Sequence, residues 1–185
     1  MKKIIALNGS PRREGSTAAL VNEIFKAARE KGAETKSYNL NEINIKGCQS
    51  CYNCKAQGRC VLLDDMQELY DEIASADGII FATPVYMWQM SSQLKLVVDR
   101  LYPFLKPDYS SHLLPGKKVL LAVTQGRPDT TLFHHYFEHM GNNLLFLGFS
   151  TYKILIAGGT HKPGDLYKQT HVLAETIKLA NWLTE

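Results

Sequence analysis

The sequence predicts an α/β protein, a three-layer sandwich in which helices cover both faces of a parallel sheet. Short segments that are apolar throughout, such as IIAL at residues 4–7 and IIFA at residues 79–82, alternate with segments whose apolar residues recur at helical spacing. A strand that is apolar on both sides is buried on both faces, as in a parallel sheet. Alternation of strands and helices along the chain is typical of this class.

The strands and helices follow one another in order along the whole chain. Strands are predicted at residues 2–8, 34–40, 78–84, 117–126 and 151–159. Helices are predicted at residues 16–32, 64–77, 91–104, 130–147 and 165–183, the fourth of them interrupted near Gly141.

Three of these helices have an apolar face with the spacing i, i+3, i+4, i+7, which buries one side of each. The faces consist of Val21, Ile24, Phe25 and Ala28 in the first helix, Met66, Leu69, Tyr70 and Ile73 in the second, and Leu94, Val97, Val98 and Leu101 in the third. Ser16 or Thr17 is expected to cap the start of the first helix, and Gly32 to end it. Pro103 is expected to end the third helix.

Five strands with right-handed crossovers favour the flavodoxin-like sheet order 2-1-3-4-5. The length of 185 residues suits a single domain over residues 1–185. A cysteine-rich insertion loop at residues 47–63 separates the second strand from the second helix.

Composition excludes several classes of partner. The net charge is +3 and the basic residues are scattered, so we expect no nucleic-acid partner. No apolar run approaches the roughly 20 residues of a membrane span, so we expect no membrane partner. The N-terminal apolar run is too short for a signal peptide, and a cytoplasmic location with reduced thiols is therefore predicted.

Ligands of such sheets bind beyond the carboxyl ends of the strands, where the order of the strands switches. The first loop there, NGSPRREGST at residues 8–17, opens a helix and is rich in donors: Ser10, Arg12, Ser16 and Thr17. Helix N-terminal N–H groups, hydroxyls and a guanidinium together suit a phosphate. The loop lacks GxxxxGK[ST] and GxGxxG, and an ordinary capped turn is the competing interpretation.

A second loop carries apolar and aromatic side chains that could flank a flat ring: Thr83, Pro84, Val85, Tyr86 and Trp88. The loop after the fourth strand contributes Thr124, Gln125 and Gly126 on the same rim. Packing or a subunit contact is the competing interpretation of the aromatic loop alone. A phosphate at one end and a flat ring at the other describe FMN.

The motifs GSPRREGST, DDM at 64–66 and TPVY…MSSQLKLVVDR, in this order, resemble the NADPH-dependent FMN reductase family. The compact cysteine motif is similar to that of the iron–sulfur flavoprotein branch. The resemblance implies a flavodoxin-like fold, bound FMN, NAD(P)H as co-substrate and a homodimer or homotetramer. It implies a phosphate role for the first loop and a ribityl and ring role for residues 83–86.

All four cysteines lie within thirteen positions as C-x2-C-x2-C-x5-C: Cys48, Cys51, Cys54 and Cys60. Four thiolates at this spacing are suited to a [4Fe–4S] cluster. Zinc, a redox-active dithiol and unligated thiols are the alternatives. His135 and His139 share a helical face but lack the HExxH pattern, and no metal is assigned to them.

These observations predict an FMN-dependent oxidoreductase that passes electrons between a nicotinamide or ferredoxin-type donor and a small-molecule acceptor. No acid–base side chain is obligatory for hydride transfer, so no catalytic residue is nominated. The alternatives are a cluster-free NAD(P)H-dependent FMN or quinone reductase, a non-enzymatic flavodoxin-like electron carrier, and a zinc-binding interaction protein without flavin.

Overall fold

The computed structural model describes residues 1–185 and contains six strands, six α-helices and two short 3₁₀ helices. The strands are β1 (Lys3–Asn8), β2 (Glu34–Asn39), β3 (Gly78–Tyr86), β4 (Gln89–Met90), β5 (Lys118–Thr124) and β6 (Thr151–Ala157). The helices are α1 (Ser16–Glu30), α2 (Asn53–Gln57), α3 (Met66–Ser75), α4 (Ser92–Asp99), α5 (His134–Phe146) and α6 (Thr170–Thr184). The 3₁₀ helices are Tyr102–Phe104 and Asp165–Lys168.

Five parallel strands form the sheet in the order β2-β1-β3-β5-β6. This is the predicted flavodoxin-like order, because β5 and β6 are the fourth and fifth parallel strands. The prediction omitted β4, which pairs antiparallel with the end of β3. Two residues are too few to give an alternating or apolar pattern, so the sequence carried no strand signal there.

Each face of the sheet has its own apolar core. Helices α1 and α6 pack together on one face, around Leu20, Ile24 and Leu179. On the other face the core includes residues of α3, α4 and α5, such as Leu69, Leu94 and Phe137. The sheet is therefore buried on both sides, which explains why the middle residues of its central strands, such as IIAL at 4–7 and IIFA at 79–82, are apolar on both faces. No helix is long and apolar enough to cross a membrane.

The helix predictions at Pro103 and at Gly141 are wrong. Helix α4 ends at Asp99, before Pro103, and Pro103 lies in the following 3₁₀ helix. Helix α5 runs through Gly141 without a break. The reason for the glycine is packing, because a Cβ atom at this position would collide with the ring of Tyr152 on β6.

Replacing Gly141 with alanine is expected to destabilise the protein. Alanine favours a helix interior by about 1 kcal/mol over glycine, but overpacking against the Tyr152 ring costs typically 1–3 kcal/mol. We expect a net loss of roughly 1 kcal/mol in the free energy of unfolding, measured by urea denaturation. In a Tyr152→Ala background the same substitution should become neutral or stabilising, and an unchanged cost there would contradict this explanation.

Candidate functional site

A polar cavity of about 170 Å³ opens at the carboxyl ends of β1, β3, β5 and β6. Its lining includes Arg12, His161 and Lys162 but no carboxylate, so the cavity favours an anion. The full lining is Ser10, Arg12, Gly15, Ser16, Thr17, Pro84, Val85, Tyr86, Thr124, Gln125, Gly126, Thr160, His161, Lys162 and Pro163.

The structure brings ten of the twelve residues predicted to bind the cofactor to this one cavity. The two exceptions are Thr83 and Trp88. Thr83 is buried, and its hydroxyl accepts a hydrogen bond from the Ser91 N–H at 2.9 Å and donates one to the Pro84 carbonyl at 2.8 Å. Thr83 therefore fixes the end of β3, whereas Trp88 lines an adjoining groove.

Short polar contacts set the shape of the loop after β1. Asn8 Oδ1 accepts a hydrogen bond from the Ser10 N–H at 3.0 Å, and Ser10 Oγ accepts one from the Arg12 N–H at 3.2 Å. The Ser91 hydroxyl donates to the Gly9 carbonyl at 2.8 Å. A Cβ atom at Gly9 would lie 2.5 Å from Ser91 Oγ, so only glycine permits this close approach.

The start of α1 points its free backbone donors toward the cavity. The N-cap is Gly15, and no side chain caps the helix. The two predicted capping residues make other contacts. The Ser16 hydroxyl lies 3.5 Å from the Lys162 carbonyl, and the Thr17 and Thr124 hydroxyls are 2.7 Å apart. Uncapped N–H groups at a helix N-terminus form an anion site together with neighbouring cations.

The loop after β6 supplies part of the cavity that sequence analysis missed, namely Thr160, His161, Lys162 and Pro163. The Thr160 N–H donates to the Gln125 carbonyl at 3.0 Å, and Arg12 Nη1 donates to the His161 carbonyl at 3.4 Å. The sequence could have indicated this loop as part of the site, because it also follows the carboxyl end of a parallel strand and carries two basic residues.

A groove of about 630 Å³ continues outward from the cavity and shares Val85, Gln125, Gly126 and His161 with it. The turn between β3 and β4 forms one wall. Both turn residues, Met87 and Trp88, have positive φ values of 44° and 70°. This conformation suits Asn-Gly and costs roughly 1–2 kcal/mol for each larger residue. Such local strain is typical of functional sites.

A second, more apolar cavity of about 330 Å³ is lined by all four cysteines. The remaining lining residues are Gln49, Ser50, Tyr52, Leu62, Asp99 and Tyr102. No disulfide joins the thiols. All four thiols line this cavity, but no group of three or more His, Cys, Asp or Glu side chains is placed so that it could hold a metal ion.

The thiols of the cysteine cavity lie close enough together to affect the pKa of Cys54. Burial raises the pKa of the Cys54 thiol, and the neighbouring Cys60 raises it further. A reactive dithiol needs a lowered pKa, so Cys54 lacks the environment of a thiol nucleophile. A bound cation would reverse this effect, because metal ligation deprotonates a thiol.

The ends of the cysteine loop are held by a buried ion pair. Asp64 and Arg100 have side chains that are 0% and 1% exposed, with Nη1–Oδ2 and Nη2–Oδ1 distances of 2.8 and 3.1 Å. Arg100 Nη1 also donates to the Lys46 carbonyl at 2.8 Å, and Asp64 Oδ2 accepts from the Lys46 N–H at 2.9 Å. Residues on both sides of the cysteine loop are thus joined to the end of α4.

Further contacts anchor the interior of this loop. Gln67 on α3 donates from Nε2 to the carbonyls of Cys60 and Leu62 at 2.9 and 2.6 Å. Lys55 donates to the Leu105 carbonyl at 2.9 Å, and its ammonium lies 3.9 Å from the centre of the Tyr102 ring. The loop is therefore also attached to the domain between Cys54 and Cys60 and at its C-terminal end.

The histidines of α5 do not form a comparable site. His135 is almost fully exposed, and its Nδ1 atom lies 3.1 Å from Glu138 Oε2. His139 is exposed as well.

A flavodoxin-like sheet with an anion-binding cavity at its switch point defines the general class of this chain. The NADPH-dependent FMN reductase family matches residues 2–146, and the chain belongs to this family of oxidoreductases. The predicted family is thereby confirmed.

Known proteins similar to this chain include iron–sulfur flavoproteins. One from Methanocaldococcus jannaschii is 36% identical over 137 residues, which cover 73% of this chain and 71% of the relative. Another from Archaeoglobus fulgidus is 40% identical over 106 residues, covering 57% of this chain and 54% of the relative. The match therefore spans about half the length of the Archaeoglobus protein.

A similar fold is found in an NAD(P)H:quinone oxidoreductase from Methanothermobacter marburgensis. Its TM-score is 0.76 at 18% identity, with 97% of each chain covered. At this identity the likeness concerns the fold.

Proposed function

We propose that this chain is an FMN-dependent oxidoreductase that passes electrons from NAD(P)H or a ferredoxin-type donor to a small acceptor. The observation that carries the proposal is the continuity of a basic, anion-binding cavity with a larger groove of aromatic and apolar character. A cofactor with a phosphate at one end and a flat ring at the other suits both parts.

The residues divide between the two ends of FMN. The phosphate would be held by Ser10, Arg12, Ser16 and Thr17, with Lys162 as a second cation. The ring would rest on the residues that the cavity and the groove share. FMN itself supplies hydride and single-electron transfer, and the protein's part is to bind and orient it.

We propose a [4Fe–4S] cluster, held by the four cysteines, as a second redox centre. A cluster takes one thiolate on each of four separated iron atoms, whereas a zinc ion draws four thiolates to one point. All four cysteines line this one cavity, which supports a cluster with one thiolate on each iron. The same role is indicated by the similarity to iron–sulfur flavoproteins. Bound there, a cluster would exchange single electrons.

The experiment is a visible spectrum with iron and sulfide assays on protein purified without oxygen. We expect flavin bands, broad absorbance from iron–sulfur charge transfer, and about four irons per chain. Each of Cys48→Ser, Cys51→Ser, Cys54→Ser and Cys60→Ser should lose iron while retaining flavin. Ala56→Ser is the matched control, because it places a hydroxyl on an exposed position of the same loop.

The outcomes separate the alternatives. Flavin without iron after anaerobic reconstitution would reject the cluster and favour the cluster-free reductase. Absence of both would reject the whole proposal. Steady-state turnover with NADH or NADPH distinguishes an enzyme from an electron carrier, and light scattering tests the predicted homodimer or homotetramer.

A further inference from the structure

We infer that the outer part of the groove binds the electron acceptor, and that it selects a flat aromatic acceptor carrying an acidic group. The inference deepens the proposed function and rests on it. The residues shared with the cavity are assigned to the flavin ring, which leaves Met87, Trp88, Arg127, Pro128 and Phe133 for a second ligand. The whole groove, including the part assigned to the flavin ring, has a volume of about 630 Å³, which is within the range of small-molecule sites.

The aromatic wall of the outer groove is Trp88. Its side chain is 67% exposed although its backbone is held in the left-handed region with φ at 70°. The turn cannot rotate freely, because Val85 pairs with Met90 and Tyr86 pairs with Gln89 on either side of it. An exposed indole carried on this constrained turn offers a flat surface on which an aromatic ligand can stack.

The charge of the outer groove comes from Arg127. Its carbonyl accepts hydrogen bonds from Gln125 Nε2 at 2.9 Å and from the Gly159 N–H at 3.2 Å, so the backbone is fixed at the rim. Arg13 and Arg59 are paired with Glu42 and Asp71, whereas Arg127 forms no ion pair. With no carboxylate in the groove lining, its guanidinium is available to a carboxylate or sulfonate on the ligand.

The redox step balances for a quinone of this kind. The quinone would gain two electrons and two protons and become a hydroquinone, and bound FMN would supply the electron transfer. NAD(P)H would provide the two electrons and one proton as a hydride, and the solvent would provide the second proton.

The test measures reoxidation of photoreduced, flavin-loaded enzyme under stopped flow. The acceptors are a naphthoquinone sulfonate, an uncharged naphthoquinone and dioxygen, and each variant is compared with wild type for each acceptor. Arg127→Gln should slow reoxidation by the sulfonate about tenfold and leave the uncharged quinone within about twofold. Trp88→Leu should slow both quinones by about fivefold to tenfold and leave dioxygen unchanged.

Lys178→Gln is the control, since it removes one positive charge from helix α6, away from the groove. Equal effects of Arg127→Gln on both quinones, or no effect, would overturn the inference, as would a Trp88→Leu effect shared by dioxygen. A wild-type preparation that binds no flavin would instead refute the proposed function.

Discussion

Replacing Arg100 with methionine is expected to lower the free energy of unfolding by about 3–5 kcal/mol. The substitution leaves the Asp64 carboxylate buried without its partner, because both side chains of the pair are almost completely inaccessible. It also removes the hydrogen bond to the Lys46 carbonyl. Urea denaturation of the apo-protein measures the loss.

A double-mutant cycle separates the pair from the packing of its members. Asp64→Asn alone should be strongly destabilising, whereas adding it to Arg100→Met should recover much of the lost stability because no buried charge remains. Lys95→Met is the control, as it breaks an exposed ion pair with Asp99 on α4 and should change stability by less than about 0.5 kcal/mol. Additive effects of the two core substitutions would contradict an energetic role for the pair.

The pair also gives stability a defined pH dependence. Burial by itself would raise the pKa of Asp64, but hydrogen bonds from Arg100 and the Lys46 N–H keep the pKa below its usual value of 3.8. A group with a lowered folded-state pKa stabilises the protein above its unfolded-state pKa, and the contribution is lost as the pH falls through the folded-state pKa. The contribution is therefore complete near neutral pH and disappears under acidic conditions.

The five parallel strands could be predicted because each is a short segment whose pattern is local, and their order followed from the right-handed crossovers of such sheets. The turn at Met87 and Trp88 could not be predicted, since two-residue turns with positive φ are normally signalled by Asn or Gly. The predicted helix break at Gly141 was wrong for a related reason. This glycine leaves room for the ring of Tyr152, which lies eleven positions away on another element. The pattern of neighbouring residues in a sequence does not predict contacts of this kind.

The candidate site was predictable to the extent that it lies on loops expected at the same sheet edge. Ser10, Arg12, Thr124 and Gln125 were predicted on that basis, and they line one cavity. The contribution of the loop after β6 becomes evident only once β6 is placed beside β5, so that Thr160 reaches the Gln125 carbonyl. The Asp64–Arg100 pair, which holds the cysteine loop, joins residues that no spacing rule connects.

Replacing Arg12 with alanine is expected to weaken FMN binding about tenfold to a hundredfold, since a charge-assisted hydrogen bond to a phosphate is worth roughly 1.5–3 kcal/mol. The side chain lines the basic cavity and is held over it by donation to the His161 carbonyl. The affinity is measured from quenching of flavin fluorescence on titration of the apo-protein.

Riboflavin is the informative second ligand, because it has the ring and the ribityl chain of FMN but no phosphate. Arg12→Ala should leave riboflavin affinity within about twofold of wild type if the residue acts on the phosphate alone. Arg13→Ala is the matched protein control: the neighbouring arginine is 78% exposed, pairs with Glu42 and lies outside the cavity lining. Equal weakening of both ligands by Arg12→Ala would assign this side chain to the shape of the loop and move the phosphate site away from the N-terminus of α1.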